Sequence, residues 1–267
     1  MTEVDLSMVR GLIFDMDGVL WKDNQPIGNL RKIFQQIDQL DLKVVLATNN
    51  ATASINSFLD KLAGFGVELK PWQVISSSIV VAQYLCDRYP AGGNVYAVGE
   101  AGLKETLAEA GFKHTHKGDM VAVVAGMDRQ ITYEKLKIAT LLIRRGVPFI
   151  GTNPDPTFPS PEGLIPGAGS ILAAIETAAG VSPKIMGKPE PEIYEVCLER
   201  MGLTPDETIA VGDRLSTDIA CAQRVGVISG LVLSGVTSRD QAEAWKPKID
   251  WIGSDLTELV NELVDYS

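Results

Sequence analysis

The chain has 267 residues, of which 45% are hydrophobic and 22% charged, a composition typical of a globular protein with one or two domains. Its formal net charge is −10 and no basic run exceeds two residues, which argues against nucleic acid as a partner. No apolar run approaches the roughly 20 residues of a membrane helix, so no membrane partner is expected. The first residues lack a signal-peptide pattern. The three cysteines have no paired spacing, so we expect reduced thiols in a cytoplasmic protein.

Apolar segments of two kinds alternate along most of the chain, and their order predicts the fold. Continuous Val- and Ile-rich runs without polar alternation are typical of strands that are covered on both faces. They occur at residues 11–14, 43–48, 94–99, 121–126, 147–152, 208–213 and 229–233. Apolar residues at helical spacing lie between them, in segments 30–40, 55–62, 136–143, 193–201 and 256–263. The alternation predicts an α/β fold whose core is a Rossmann-like parallel sheet flanked by helices.

The middle of the chain differs in character from its two ends. Turn-rich stretches at 71–78 and 180–189 bracket it, and segment 152–170 contains five prolines, which predicts an irregular loop. A long ordered loop in a compact domain is often functional. We therefore interpret 79–182 as an inserted, smaller α/β domain. Residues 1–78 and 183–267 then form one discontinuous core domain.

Polar residues that could take part in catalysis or binding follow several of the predicted core strands. In open parallel sheets, ligands bind at the carboxyl ends of the strands, so these residues are expected to converge on one crevice. They are Asp15 and Asp17 after the first strand, Thr48, Asn49 and Asn50 after the second, Asp213 and Asp218 after a later strand, and Lys188 just before a helix.

The residue types in this set indicate phosphate chemistry. Several carboxylates at one point imply a hard cation, and all-oxygen ligation favours Mg²⁺. Thr48 and Asn49 offer a hydroxyl and an amide to an oxyanion, and Lys188 offers a compact positive charge. Asp15 could attack phosphorus directly, because aspartate nucleophiles form aspartyl phosphates. Asp17 would then act as general acid and base.

Charge balance assigns different protonation states to the two acids of the first motif. The negative charge of four ionised aspartates exceeds the positive charge of one Mg²⁺ and one lysine, and a bound phosphate adds further negative charge. We therefore expect Asp17 to hold a proton when substrate is bound, since the leaving alkoxide needs that proton. Each motif alone also has a structural interpretation: an acidic turn, a helix cap by Thr48 or Asp218, or a solvated Lys188. Their joint occurrence after buried strands favours a site.

Four sequence motifs resemble those of the haloacid dehalogenase superfamily, the aspartate-nucleophile phosphatases. They are DMDGVL at 15–20, ATNN at 47–50, GKPEPEIY at 187–194 and VGDRLSTDI at 211–219. The insertion between the second and third motifs, with its TNPDPTFP and PGAGS segments, is similar to the NagD-like or para-nitrophenyl-phosphatase branch. That resemblance implies an α/β cap domain at 79–182.

The resemblance implies a role for each acid that matches a motif. Asp15 would be the nucleophile and a ligand of Mg²⁺. Asp17 would be the acid and base, and its backbone carbonyl would ligate Mg²⁺. Asp213 would be a further metal ligand.

The remaining motif residues would bind the phosphate, again by resemblance. Thr48 and Asn49 would hold it, with Asn50 close by, and Lys188 would neutralise it and orient the nucleophile. Asp218 would support the site through Lys188 or through the metal shell.

Substrate specificity is expected in the proline-rich loop. Asn153, Asp155 and Phe158 could project over the crevice, but Asn153 and Asp155 could equally satisfy local turn hydrogen bonds. The two histidines, His114 and His116, are expected to be exposed, and without a third ligand nearby they predict no zinc site.

The leading hypothesis is a Mg²⁺-dependent phosphatase for small phosphomonoesters: a sugar phosphate, nucleotide monophosphate, glycerol phosphate or aryl phosphate. A phosphotransferase or mutase of the same superfamily is an alternative, although such enzymes usually carry a cap between the first two motifs. A non-catalytic sensor of phosphorylated ligands is another, although it should have lost Asp17 or Lys188, and both are present. A homo-oligomer is left open.

Overall fold

The structure is a computed structural model, and it describes residues 6–160 and 162–266. The strands are β1 (Gly11–Phe14), β2 (Trp21–Lys22), β3 (Gln25–Pro26), β4 (Lys43–Thr48), β5 (Val74–Ser76), β6 (Gly93–Val98), β7 (Phe112–His114), β8 (Met120–Ala125), β9 (Phe149–Gly151), β10 (Thr157–Ser160), β11 (Gly163–Pro166), β12 (Lys184–Ile185), β13 (Thr208–Gly212), β14 (Ile228–Val232) and β15 (Trp251–Gly253).

The α-helices are α1 (Leu30–Gln39), α2 (Ile55–Gly64), α3 (Ser77–Arg88), α4 (Ala101–Glu109), α5 (Tyr133–Arg144), α6 (Ala168–Ala179), α7 (Glu192–Met201), α8 (Ala220–Val225), α9 (Arg239–Ala244) and α10 (Leu256–Asp265). Short 3₁₀ turns occur at Leu6–Met8, Pro71–Gln73 and Pro205–Glu207, and a π-helical turn occurs at Leu215–Ile219. Across the described part of the chain, every helix is too short or too polar to span a bilayer.

The contacts between residues divide the chain into two compact units. The first unit contains the described residues of segments 1–48, 58–75 and 188–267, and the second contains 49–57 and 76–187. The predicted domain boundaries, at 78/79 and 182/183, lie a few residues from two of these limits. That the inserted segment acts as a cap stays a prediction.

The first unit is built on a six-stranded sheet in the order β15-β14-β13-β1-β4-β5. The pairs around β1 are parallel, and Phe14 at its end lies level with Leu46 of β4 and Val211 of β13. The residues that follow these three strands therefore leave the sheet at the same edge. This register brings together the ends of three motifs that are spread over about 200 residues of sequence.

The helices of the first unit cover the faces of this sheet with their apolar sides. Helix α1 is capped by Asn29, whose side chain accepts the Lys32 N–H, and α10 is capped by Asp255, whose side chain accepts two backbone N–H groups. The two helices pack on one another. Their buried residues are Leu30, Ile33, Phe34 and Ile37 in α1, and Leu256, Leu259, Val260 and Leu263 in α10.

The second unit has its own five-stranded parallel sheet, in the order β12-β9-β8-β6-β7. Helices α5 and α6 pack together and contribute to one apolar cluster with the sheet. An α/β fold with parallel sheets was predicted from the alternating apolar runs, and that prediction is confirmed.

One prediction about the proline-rich segment is wrong. Segment 152–170 was expected to be irregular, but it contains the antiparallel hairpin β10–β11, followed by α6. A two-stranded hairpin has only edge strands, and an edge strand accommodates proline because one row of its N–H groups needs no partner. Pro166 lies in such a position, paired with Thr157.

Candidate active site

A buried lysine lies at the centre of the candidate site in the first unit. Lys188 is only 2% exposed, and its Nζ is 2.6 Å from Asp15 Oδ1 and 2.6 Å from Asp218 Oδ1. It also donates to the carbonyl oxygen of Ala47, at 2.9 Å. Burial alone would lower the pKa of Lys188, but the two carboxylates raise it well above its ordinary value. The ammonium is therefore fixed as a cation between two acids.

Three buried carboxylates meet beside this lysine. One oxygen each of Asp15, Asp213 and Asp218 lies within 4.8 Å of the other two. Burial raises the pKa of Asp15 well above its ordinary value, opposed by Lys188 and reinforced by Asp218 and Asp213. Burial and then Asp218 raise the pKa of Asp213 to about 6. Burial is therefore the main cause of both pKa shifts, and the neighbouring carboxylates add to it.

Glycines allow the chain to approach Asp213 closely. Gly18 has φ +85°, a left-handed conformation that favours glycine, and a Cβ at this position would meet the Asp213 carboxylate. A Cβ at Gly235 would meet the same carboxylate. The turn that follows Asp17 therefore also leaves room for the Asp213 carboxylate.

The loop after β14 fixes Asp213 from the other side. Asp213 Oδ2 accepts the Val236 N–H at 2.9 Å, and the Asp213 carbonyl accepts the Thr237 hydroxyl at 2.6 Å. Ser234 donates to the Gly18 carbonyl at 2.7 Å, which ties this loop to the first motif. Three hydrogen bonds thus hold two motif loops in place.

Asp218 lies in the π-helical turn that follows β13. Its Oδ2 accepts the Arg214 N–H at 3.0 Å, while its Oδ1 faces Lys188. One carboxylate therefore both caps the turn and holds the lysine. The earlier alternatives for Asp218, a helix cap or a supporting residue, describe two contacts of the same side chain.

The residues of this cluster fit a divalent cation. Three carboxylates against one ammonium leave two negative charges, which is the charge that one Mg²⁺ would offset. Asp213 Oδ1 is buried and has no hydrogen-bond partner, which is costly for a carboxylate unless a cation contacts it. Oxygen-only ligation suits Mg²⁺. Asp15 and Asp213 are the side chains that would hold it.

Asp17 is separate from this cluster. Its side chain is exposed, and its Oδ1 accepts the indole N–H of Trp21 at 2.8 Å. Trp21 was not among the residues selected from the sequence. The only sequence signal for it is its position four residues after Asp17, and spacing alone does not reveal a hydrogen bond across a tight turn. Ser234 and Thr237 were missed because their hydrogen bonds join loops that are far apart in sequence.

The residues of the second motif are divided between the two units. Thr48 ends β4 and is buried in the first unit, whereas Asn49 and Asn50 are grouped with the second. Asn50 Oδ1 accepts the backbone N–H and the hydroxyl of Thr52. Within the second unit, Asn49 Nδ2 donates to Asp155 Oδ2 at 3.0 Å.

The three residues predicted for specificity lie in the second unit. Asn153 Nδ2 donates to the Asn49 carbonyl, and Asn153 Oδ1 accepts the Asp155 N–H at 3.1 Å. Only the second of these is a local turn contact of the kind named as the alternative interpretation, because the first joins two segments far apart in sequence. Phe158 is half-buried, with the Arg129 guanidinium 5.5 Å from its ring centre. A role in specificity stays a prediction for all three.

Two family models match the chain, and both describe the same family. The first, for haloacid dehalogenase-like hydrolases, matches residues 12–113, and the second, for a related hydrolase-like segment of that family, matches residues 185–259. The matches include the first and second motifs and the third and fourth motifs respectively. Together they cover more than half of the chain.

Named relatives and solved structures agree with the family models. An acid sugar phosphatase of Staphylococcus aureus is 34% identical over 97% of this chain and 99% of its own length. The 4-nitrophenylphosphatase structure from Thermotoga maritima has a TM-score of 0.91 at 32% identity, covering 96% of this chain and 98% of that one. A Mycobacterium tuberculosis glycerol phosphate phosphatase, solved in complex with magnesium, has a TM-score of 0.87 at 31% identity, covering 96% and 78%.

The chain therefore belongs to the haloacid dehalogenase-like hydrolases, and it is a phosphatase of that family. The resemblance drawn from the four motifs and the predicted enzyme class are both confirmed. The solved structures that share this fold include phosphatases named for aryl and glycerol phosphates.

Proposed function

We propose that this chain hydrolyses small phosphomonoesters with Mg²⁺, through a phosphorylated Asp15. The observation that carries the proposal is the buried Lys188, held between Asp15 and Asp218 beside the unpartnered Oδ1 of Asp213. A fixed ammonium beside a nucleophilic carboxylate, next to an acidic oxygen that can bind a cation, suits transfer of a phosphoryl group.

Asp15 is the nucleophile of the first step. One of its carboxylate oxygens attacks phosphorus, the bond from phosphorus to the ester oxygen breaks, and Asp17 gives its proton to that leaving oxygen. When bound, Mg²⁺ would offset carboxylate charge and polarise the phosphoryl oxygens. Asp15, Asp213 and the backbone carbonyl of Asp17 would hold it.

Water completes the cycle in the second step. Asp17, now ionised, takes a proton from water as the water oxygen attacks phosphorus, and the bond between phosphorus and Asp15 breaks. Inorganic phosphate leaves, and Asp17 is protonated for the next turnover. Lys188 stabilises the charge on the phosphoryl oxygens in both steps.

The remaining motif residues bind the phosphate in this proposal. Thr48, Asn49 and Asn50 contribute hydroxyl and amide groups, and Asp218 supports the site by holding Lys188. The inserted segment 79–182 is proposed as the cap domain, with substrate selectivity residing in its Asn153, Asp155 and Phe158.

The substrate class is proposed to be small phosphate esters. Relatives named for acid sugar, 4-nitrophenyl and glycerol phosphates support this choice, because together they span sugar, aryl and polyol leaving groups. A cytoplasmic location is proposed as well, and the free thiols of Cys86, Cys197 and Cys221 support it.

Release of inorganic phosphate tests the proposed function. The purified chain is assayed with 4-nitrophenyl phosphate, glycerol phosphate and a sugar phosphate, before and after chelation and after Mg²⁺ is added back. We expect turnover that chelation removes and Mg²⁺ restores. Undiminished turnover in the chelated enzyme would overturn the metal requirement, and no phosphate release from any ester would overturn the function.

A further inference from the structure

We propose that Trp21 is a positioning residue that fixes the carboxyl group of Asp17 and decides which of its oxygens carries the proton. This inference rests on the proposed function, in which Asp17 is the general acid and base. It adds a residue that lies outside the four motifs.

The contact is short and its two partners differ in burial. The indole Nε1 of Trp21 donates to Asp17 Oδ1 at 2.8 Å. Trp21 is 1% exposed, whereas Asp17 is exposed. An exposed carboxyl group would otherwise rotate among several orientations. Here one of its oxygens is held by a donor that cannot itself move freely.

The surroundings of the indole ring explain its rigidity. The ring packs on Phe65, with 6.0 Å between ring centres, and the Nζ of Lys61 lies 4.3 Å from the ring centre. Lys61 is in turn held by the carbonyl of Asp23, at 2.8 Å. The buried indole is thus in contact with a second aromatic ring and with a lysine that is itself held by a hydrogen bond.

The backbone reinforces the same arrangement. The Gly18 N–H donates to the Trp21 carbonyl at 2.7 Å, and the Trp21 N–H donates to the Met16 carbonyl at 3.3 Å. Residues 17 and 21 also form an isolated β-bridge. The tight turn that carries Asp17 is closed by backbone and side-chain bonds to the same tryptophan.

The chemistry of the indole group assigns the proton. An indole N–H can only donate, and the C=O oxygen of a carboxylic acid accepts more strongly than its OH oxygen, so the bond favours the acid proton on the other oxygen. Oδ1 of Asp17 is occupied by Trp21, and the transferable proton is therefore directed to Oδ2. The same bond persists when Asp17 is ionised, so it serves the acid step and the base step equally.

If the bond from Trp21 to Asp17 were only structural, its loss would not change the proton-dependent step selectively. The chain contains a matched control for that case. Trp251 is also buried in the first unit, and its indole N–H donates to the carboxylate of Glu262 at 2.9 Å. Replacing Trp251 by phenylalanine removes the same kind of bond outside the site.

The test compares two aryl esters whose leaving groups differ in their need for a proton. Phenolate is a much poorer leaving group than 4-nitrophenolate, so hydrolysis of phenyl phosphate depends more on general acid catalysis. The kcat/KM of Trp21→Phe is measured with phenyl phosphate and 4-nitrophenyl phosphate, beside wild type, Trp251→Phe and Asp17→Asn.

We expect Trp21→Phe to lower kcat/KM for phenyl phosphate about ten- to a hundred-fold more than for 4-nitrophenyl phosphate. Asp17→Asn should show the same selectivity, and Trp251→Phe should show none. An equal loss on both esters in Trp21→Phe would overturn the proposal while leaving the phosphatase function intact. No turnover of either ester by wild type would instead count against the proposed function.

A second variant covers the case in which Trp21→Phe does not fold. Incorporation of 3-benzothienylalanine at position 21 keeps the shape of the ring system and replaces only the N–H with sulfur. If this protein folds and hydrolyses both esters at the wild-type ratio, the positioning role of Trp21 is refuted.

Discussion

Gly18 lies against the Asp213 carboxylate, so the addition of a single methyl group at Gly18 should strongly reduce activity. Gly18 combines a left-handed φ of +85° with a missing Cβ that would meet Asp213. We predict that Gly18→Ala destabilises the fold by about 1–2 kcal/mol and displaces Asp213, the proposed metal ligand. Phosphate release should fall more than tenfold.

Gly202 supplies the control for this prediction. It has φ +64° and open space where a Cβ would lie, so Gly202→Ala should cost about 1 kcal/mol of stability and leave kcat unchanged. Denaturant titration and steady-state kinetics measure both effects. If the two variants lose equal stability and keep equal activity, the close contact between Gly18 and Asp213 does not affect phosphate release.

The titration of His114 should make the stability of the fold depend on pH. Its Nδ1 accepts the Ala97 N–H at 3.0 Å, and its ring lies beside Tyr96. Burial of the ring, helped by Lys104, lowers the pKa of His114 from 6.5. The fold therefore favours the neutral ring. Its contribution to stability is complete above that ordinary pKa and is lost as pH falls toward the lower folded value.

His114→Asn keeps an acceptor at this position and removes the titration. Stability measured between about pH 7.5 and pH 5.5 should decline less in the variant than in wild type. His116→Asn, at another exposed position, is the control and should follow wild type. A variant that declines as steeply as wild type would show that His114 does not titrate in this way.

At the scale of elements, the loop after β14 should matter more for activity than for stability. Thr237→Val removes the hydroxyl that donates to the Asp213 carbonyl. Thr208→Val removes an equivalent bond, to the Thr204 carbonyl, at the opposite end of β13. Each change should cost about 1 kcal/mol of unfolding free energy. Only Thr237→Val should also lower kcat, by several-fold.

Unfolding titrations and kinetics on the same two proteins separate these effects. Equal activity in Thr237→Val and Thr208→Val would mean that the loop after β14 does not position Asp213. A lower kcat in Thr208→Val would indicate a general loss of rigidity rather than a local one.

The elements that sequence predicts well are those with a strong local pattern. The runs GLIF and KVVLAT are apolar throughout, and both are strands at the predicted positions. The polar residues at their ends were predicted to converge, because parallel strands end at one edge of a sheet. Lys188 is in contact with Asp15 across 173 residues of sequence.

The elements that sequence did not predict depend on contacts between loops. The hairpin β10–β11 was missed because proline content was taken as a bar to regular structure. Trp21, Ser234 and Thr237 were missed because a hydrogen bond across a turn, or between two loops, leaves no periodic signal in the sequence. The roles of the motif residues in the reaction stay predictions.

At the scale of the whole molecule, Mg²⁺ should stabilise the folded chain. Its binding would relieve repulsion among three buried carboxylates. At a metal concentration about a hundred times the dissociation constant, the gain is about 2.7 kcal/mol. The measurement is the free energy of unfolding with and without Mg²⁺, in wild type and in Asp213→Asn. A gain of equal size in the variant would place the metal elsewhere.

The central claim is that Asp15 is the nucleophile of a phosphatase, and Asp15→Asn tests it most directly. Because burial disfavours an ionised carboxyl at this position, the neutral amide should fold with equal or greater stability. Phosphate release from 4-nitrophenyl phosphate with saturating Mg²⁺ should nevertheless fall to background. A folded Asp15→Asn enzyme that retains near-normal, Mg²⁺-dependent turnover would contradict the account.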